Sequence, residues 1–124
     1  MTRDGRVIDV HPTATPAWLE VGGEALGTLD AGDAPERHGR ASAALTQAID
    51  AGLFALTAAV DFVFYTYGDS IEELRDHIAA HWRSTRIGPD LVDRAGVVIR
   101  ANPTAGRPRV VEEVRLTSLR MGGR

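Results

Sequence analysis

The stretch from Gly52 to Trp82, GLFALTAAVDFVFYTYGDSIEELRDHIAAHW, decides the fold of this chain. From Leu53 to Tyr67 it places apolar residues on both faces of an extended segment, which is typical of a strand covered on both sides in a layered α/β sheet. Asp69 and Glu72 then follow with the spacing of a capping box. Helical spacing continues in the apolar residues Ile71, Leu74, Ile78 and Trp82. The stretch therefore predicts a long strand followed by an amphipathic helix.

Strands and helices alternate along the rest of the chain as well. The predicted elements, in order, are a strand (6–11), a hairpin (18–21 and 25–30), a helix (36–51), the long strand with its helix, a further helix opening at 88–90, and a last strand (110–121). We expect a single α/β domain over residues 1–124. It would hold about three long strands plus a short hairpin, with helices packed on the sheet and the last strand antiparallel.

Composition and charge exclude several classes of function. The net charge of −3 gives no electrostatic reason to expect nucleic acid or an anionic membrane surface as a partner. The chain has no cysteine, which excludes a disulfide framework, a thiol nucleophile and a thiolate metal site. The polar amino terminus does not resemble a signal peptide, and no apolar run reaches the length of a membrane span. We therefore expect a cytoplasmic protein.

The first candidate site is formed by Asp9, His11 and Trp18. Asp9 and His11 stand two positions apart on the predicted first strand, so they project from the same face. A carboxylate in this position orients an imidazole that acts as a general base, and Trp18 would wall a pocket beside them. The alternative is structural: His11 and Pro12 end a strand at a wet edge. Ligands of open α/β sheets bind at the carboxyl ends of strands, which favours this position for a site.

The second candidate site lies at the end of the long strand, where Tyr65 and Tyr67 share one face. Their phenol groups would hydrogen-bond a polar ligand. The alternative is that both rings cover the strand and expose only their hydroxyl groups to water.

A weak metal-ligand pattern occurs on the helix that follows. Glu73, His77 and His81 are spaced by four residues and therefore stack on one helix face, and histidine pairs at this spacing bind zinc in other proteins. The alternative is that His81 packs beside Ile78 and Trp82 at the edge of the core. The sequence identifies no further ligand, so we predict neither a metal nor a cofactor.

The order of elements resembles the carboxyl-terminal half of a class I, Rossmann-like, S-adenosylmethionine-dependent methyltransferase. The segments that carry the resemblance are RVIDVHP (6–12), GLFALTAAVDFVFYTYGDSIEELRDHI (52–78) and VVEEVRLTSLR (110–120). They resemble the family's fifth strand, its sixth strand with the following helix, and its antiparallel seventh strand, which lies between the other two. The family's cofactor site lies in its amino-terminal half, on an acidic, glycine-rich strand-turn that has no counterpart here. The resemblance therefore implies no cofactor-binding residue in this chain.

Three functions follow from these observations. The first is a methyltransferase-like domain without its own cofactor site that binds a small molecule or a partner. In this case, the unpaired edge of the first strand would join two copies as a homodimer. The second is a subunit or fragment of a methyltransferase whose cofactor half is elsewhere, so that the chain is not a complete methyltransferase on its own. The third is a small stand-alone enzyme that uses Asp9 and His11 for proton transfer.

Overall fold

The computed structural model describes residues 5–121 of the chain. Its elements, in chain order, are β1 (Arg6–Pro12), β2 (Trp18–Val21), β3 (Glu24–Thr28), α1 (Ala34–Asp50), β4 (Phe54–Tyr67), α2 (Ile71–His81), α3 (Pro89–Ala101) and β5 (Arg109–Met121). The predicted α/β class and order of elements are confirmed. None of the helices in the described range is long and apolar enough to cross a membrane.

β5 is the central strand of the sheet. β4 pairs along one side of it, while β1 and β2 share the other side, and β3 pairs with β2. Every one of these pairings is antiparallel, so the predicted antiparallel last strand is confirmed. Because β1 and β4 are both antiparallel to β5, they run parallel to each other with β5 between them. The described sheet contains no parallel hydrogen-bonded pair, so the expected Rossmann-like sheet is not shown.

The core lies where α2 and α3 pack on the β2–β3 hairpin and on the start of β5. Leu19, Leu74, Ile78 and Val110 are fully buried there. Ile71 is also buried, so the apolar stripe that the sequence predicts for α2 is confirmed. This core fixes the end of the sheet at which β1 and β4 finish and β5 begins.

The cap of α2 lies one residue later than the sequence pattern suggested. Ser70 has an extended backbone (φ −142°, ψ 167°), and its hydroxyl accepts a hydrogen bond of 3.0 Å from the Glu73 N–H. The Glu73 carboxylate in turn accepts the Asp69 N–H at 3.0 Å. Ser70 is therefore the N-cap, because it has the extended backbone that an N-cap needs, and the Glu73 side chain bonds one residue before the cap, at Asp69.

The expectation that the long strand is covered on both faces is wrong. Most of β4 is exposed: Val60 and Phe64 are 55% and 52% exposed on one face, and Tyr65 and Tyr67 are each 45% exposed on the other. The helices α2 and α3 pack over the hairpin and the start of β5 instead. The apolar pattern of β4 thus marks uncovered surface, and the same holds for Ile8 in β1, which is 57% exposed.

Candidate functional site

A chain of three hydrogen-bonded side chains joins β1 to α1. Asp9 and His11 point to the same side of β1, and the Asp9 carboxylate is hydrogen-bonded to Nδ1 of His11. On the other side of the ring, Nε2 of His11 lies 3.1 Å from the hydroxyl oxygen of Ser42. The His11 side chain is only 15% exposed, whereas that of Asp9 is 37% exposed. The predicted proximity of Asp9 and His11 is confirmed, and Ser42 is a third member that the sequence did not reveal.

This arrangement is suited to moving a proton. A carboxylate on Nδ1 holds the imidazole in the tautomer whose Nε2 accepts a proton from a hydroxyl group. Acyl transfer also needs hydrogen-bond donors for the oxyanion. Ser42 lies in the middle of α1, where the backbone N–H groups bond within the helix. The geometry therefore favours binding or proton transfer over a serine-nucleophile reaction.

A surface pocket of about 250 Å³ opens at the carboxyl end of β1. It lies between that strand end, the start of α1 and the end of α2. Its chemistry comes from Arg37, His38, Trp82, Arg83 and Glu112. An indole, two guanidinium groups and two further titratable groups thus meet at one concave surface, which makes it a candidate ligand site.

Burial shifts both titratable groups of this pocket toward their neutral forms. Burial raises the pKa of the Glu112 carboxyl above its usual value. The pKa of His38 is lowered, mainly by burial and further by the nearby charges of Arg37 and His11. A carboxyl that holds its proton more readily and an imidazole that loses it more readily can exchange protons with a bound molecule.

The remaining predicted site residues, Trp18, Tyr65 and Tyr67, lie in a second cluster. The Glu20 carboxylate accepts hydrogen bonds from the Trp18 indole at 2.8 Å and from Arg109 at 2.7 and 2.9 Å. Arg109 also donates to the Tyr67 hydroxyl at 3.2 Å, and its guanidinium lies 4.1 Å from the centre of the Tyr65 ring. The Trp18 hydrogen bond, followed by Arg109, lowers the pKa of Glu20.

These contacts separate Trp18 from the pocket that the sequence assigned to it. Its indole bonds to Glu20 on β2, and Trp82 is the indole that lines the pocket near β1. Ligand binding by Trp18, Tyr65 and Tyr67 stays a prediction. Trp82 packs, partly buried, against the core as its helical spacing predicts, and it also lines the pocket, a second role that no local signal in the sequence reveals.

The suggested metal ligands do not come together as a metal site. His77 and His81 stack with their ring centres 4.6 Å apart, while Glu73 is engaged at the start of α2. Within residues 5–121, no group of three or more histidine, aspartate or glutamate side chains is placed to hold a metal ion.

Comparison with known proteins adds no identification. No protein-family model, curated protein or solved structure matches this chain.

Proposed function

We propose that this chain is a methyltransferase-like α/β domain that has no cofactor site of its own. It binds a small molecule at the carboxyl end of β1 and works as a homodimer joined by sheet-edge pairing. The observation that carries the binding function is the pocket that places Glu112 and His38 beside Trp82. The order β1–β5–β4, with β5 antiparallel between two parallel strands, supports the methyltransferase-like part of the proposal.

The ligand that this pocket fits best is a small organic anion with a flat body. Arg83 and Arg37 bring two guanidinium groups, of which Arg37 also bonds to Asp33 at 3.2 Å, and Trp82 offers an aromatic face. Glu112 is the only carboxyl group among the lining residues, so the two guanidinium groups outnumber it. A volume of about 250 Å³ limits the ligand to a small fragment-sized molecule.

A titration followed by Trp82 fluorescence tests this function. The chain has two tryptophans, so the Trp18→Phe variant leaves Trp82 as the only reporter. Benzoate, benzamide and benzylamine form a matched set of one anionic, one neutral and one cationic probe. We expect benzoate to change the fluorescence at the lowest concentration, and replacing Arg37 by Gln should weaken that response. Equal or stronger binding of benzylamine, or no response to any probe, contradicts the proposed ligand site.

A second candidate function is a subunit of an S-adenosylmethionine-dependent methyltransferase. The observation that favours it is the outer edge of β1, which has no strand partner in the described range. A second chain with a glycine-rich, cofactor-binding strand-turn would extend the sheet at that edge. Thermal unfolding with S-adenosylmethionine distinguishes the two functions. A rise in melting temperature that requires such a partner chain supports the subunit, and no rise with it present supports a binding domain.

A third candidate, a small stand-alone enzyme, gains one observation from the structure. Ser42 completes a hydroxyl–imidazole–carboxylate chain with His11 and Asp9. This candidate fails if the His11→Ala variant converts a bound ligand as fast as the unaltered protein.

A further inference from the structure

β4 offers a long free edge for hydrogen bonding. It pairs only with β5, and no strand lies on its other side in the described part of the chain. The Gly68 N–H donates to the Pro108 carbonyl at 3.1 Å, so position 68 faces β5. Alternate residues of an antiparallel strand bond to the same neighbour. Even-numbered residues of this part of β4 therefore bond to β5. The backbone N–H and C=O groups of the odd-numbered residues point away from β5, at Ala59, Asp61, Val63, Tyr65 and Tyr67.

The edge of β1, where the sequence first suggested self-pairing, is shorter. The Thr13 N–H donates to the Glu113 carbonyl at 3.0 Å, so odd-numbered positions of β1 face β5. The even-numbered residues of β1 therefore point their backbone groups away from β5. Of these, Arg6, Ile8 and Val10 offer both an N–H and a C=O group, whereas Pro12 has no N–H. β1 has 7 residues and β4 has 14. β4 is therefore the better edge for a second copy, and β1 stays free for another chain.

We propose that two copies of this chain pair antiparallel through β4 around a two-fold axis at Val63. This inference rests on the homodimer of the proposed function and names its interface. In this register Val63 lies opposite Val63 of the second copy, Asp61 opposite Tyr65, and Ala59 opposite Tyr67. Every outward residue from 59 to 67 then meets an outward residue, which gives about ten hydrogen bonds along a ladder roughly 30 Å long.

The side chains fit this register on both faces of the sheet. On one face the small Ala59 lies opposite the large Tyr67 of the second copy. On the other face Phe62 lies beside Phe64 of the second copy, in the closer type of cross-strand pair. Within one copy these two rings already meet edge to face, with centres 5.2 Å apart. The two-fold axis therefore extends each aromatic pair into a cluster of four rings.

Charge complementarity favours the same register. Asp61 meets Tyr65 of the second copy, whose ring carries the Arg109 guanidinium at 4.1 Å. Within its own copy the Asp61 carboxylate already accepts hydrogen bonds from Arg115 at 2.7 and 3.0 Å, and across the axis it faces a hydroxyl group and a guanidinium rather than a second acid. Moving the axis to Asp61 would place two carboxylates opposite each other, which is unfavourable. With the axis at Val63, each of the five outward positions lies opposite an outward position of the second copy, and the two Asp61 carboxylates lie apart.

Single-cysteine variants test the register, because the chain has no cysteine of its own. Directly opposite residues in a hydrogen-bonded pair have Cα atoms about 5.5 Å apart, within the range that a disulfide spans. Under oxidation we expect Val63→Cys to form a covalent dimer. Ala59→Cys is the matched control, because its two copies would be about 27 Å apart. Covalent dimers from Ile8→Cys, and not from Val63→Cys, overturn the proposal in favour of β1.

A charge at the axis tests the same edge without cross-linking. Val63→Lys places two ammonium groups opposite each other while leaving the monomer with a common edge-strand residue. We expect it to raise the dimer dissociation constant about 30-fold, because a favourable cross-strand pair is replaced by like charges directly opposite each other. Val97→Lys, at a 57% exposed position of α3, should leave that constant unchanged. If the unaltered protein is a monomer, the proposed dimer itself fails. If it is a dimer that Val63→Lys does not weaken, only the β4 interface fails.

Discussion

Nε2 of His11 lies 3.1 Å from the hydroxyl oxygen of Ser42 and so connects the first strand to the first helix. Ala34 is the one buried residue of α1, so this helix makes little use of core packing. Under these conditions a partly buried hydrogen bond between β1 and α1 contributes to holding the helix in place.

Replacing Ser42 by Ala should lower the free energy of unfolding by about 0.5–1 kcal/mol. The loss of the hydrogen bond to His11 outweighs the small gain in helix propensity. Urea unfolding measures the change. Gln47→Ala is the control, since Gln47 is exposed on the same helix and its side chain makes no hydrogen bond within residues 5–121. The assigned contact has no energetic role if both variants have the same stability.

Glu112→Gln should change how stability depends on pH. Because burial raises the pKa of Glu112, the folded state binds this proton more tightly than the unfolded state does. The contribution of Glu112 to stability is fully present below the usual carboxyl pKa and is lost as pH rises through its raised value. As pH rises through this range, the unaltered protein should therefore lose unfolding free energy relative to Glu112→Gln. A difference that stays constant with pH contradicts the buried position of Glu112.

Thr117→Val should make the protein more stable by about 0.5–1 kcal/mol. Thr117 is 2% exposed, and its hydroxyl has no hydrogen-bond partner among the described residues. Valine has nearly the same shape and removes the cost of a buried, unpaired hydroxyl group. At Thr13 the same change should cost about 1 kcal/mol, because that hydroxyl donates to the Glu113 carboxylate at 2.8 Å. Thermal unfolding of both variants should show opposite shifts, and a loss of stability in Thr117→Val is the contrary result.

Gly68→Ala should destabilise the fold by about 1–3 kcal/mol through overpacking. A Cβ atom at Gly68 would lie 2.6 Å from the Cβ atom of Leu74, which is fully buried. Gly39 lies inside α1 with no atom within 4 Å of such a Cβ, so Gly39→Ala should stabilise the protein by about 0.5–1 kcal/mol. Chemical unfolding compares the two. Equal changes in unfolding free energy in the two variants would contradict the close packing of Gly68 against Leu74.

Local patterns in the sequence were sufficient to predict the elements but not what covers them. The spacing of Ile71, Leu74 and Ile78 identifies the buried face of α2 because a helix repeats every 3.6 residues. The pattern of β4 has apolar residues on both faces, which is equally consistent with a covered strand and with one whose partner is another molecule. Only the packing of α2 and α3 against the hairpin distinguishes these two cases.

The sequence likewise predicts only part of the candidate site. Asp9 and His11 are two positions apart on one strand, so their contact follows from strand geometry alone. Ser42 and Trp82 reach the site from two helices, and their positions depend on how those helices cross the sheet. No spacing in the sequence encodes that crossing. For the same reason Trp18 was expected in the pocket but instead bonds to Glu20.

Sedimentation of the unaltered protein at micromolar concentration tests the central claim most directly. The proposed function requires a second copy, and the edge of β4, which pairs only with β5 within residues 5–121, is suited to supply the contact. The account predicts a species with twice the 13.3 kDa mass of one chain, which Val63→Lys converts to the single mass. A species of 13.3 kDa across that concentration range would contradict it.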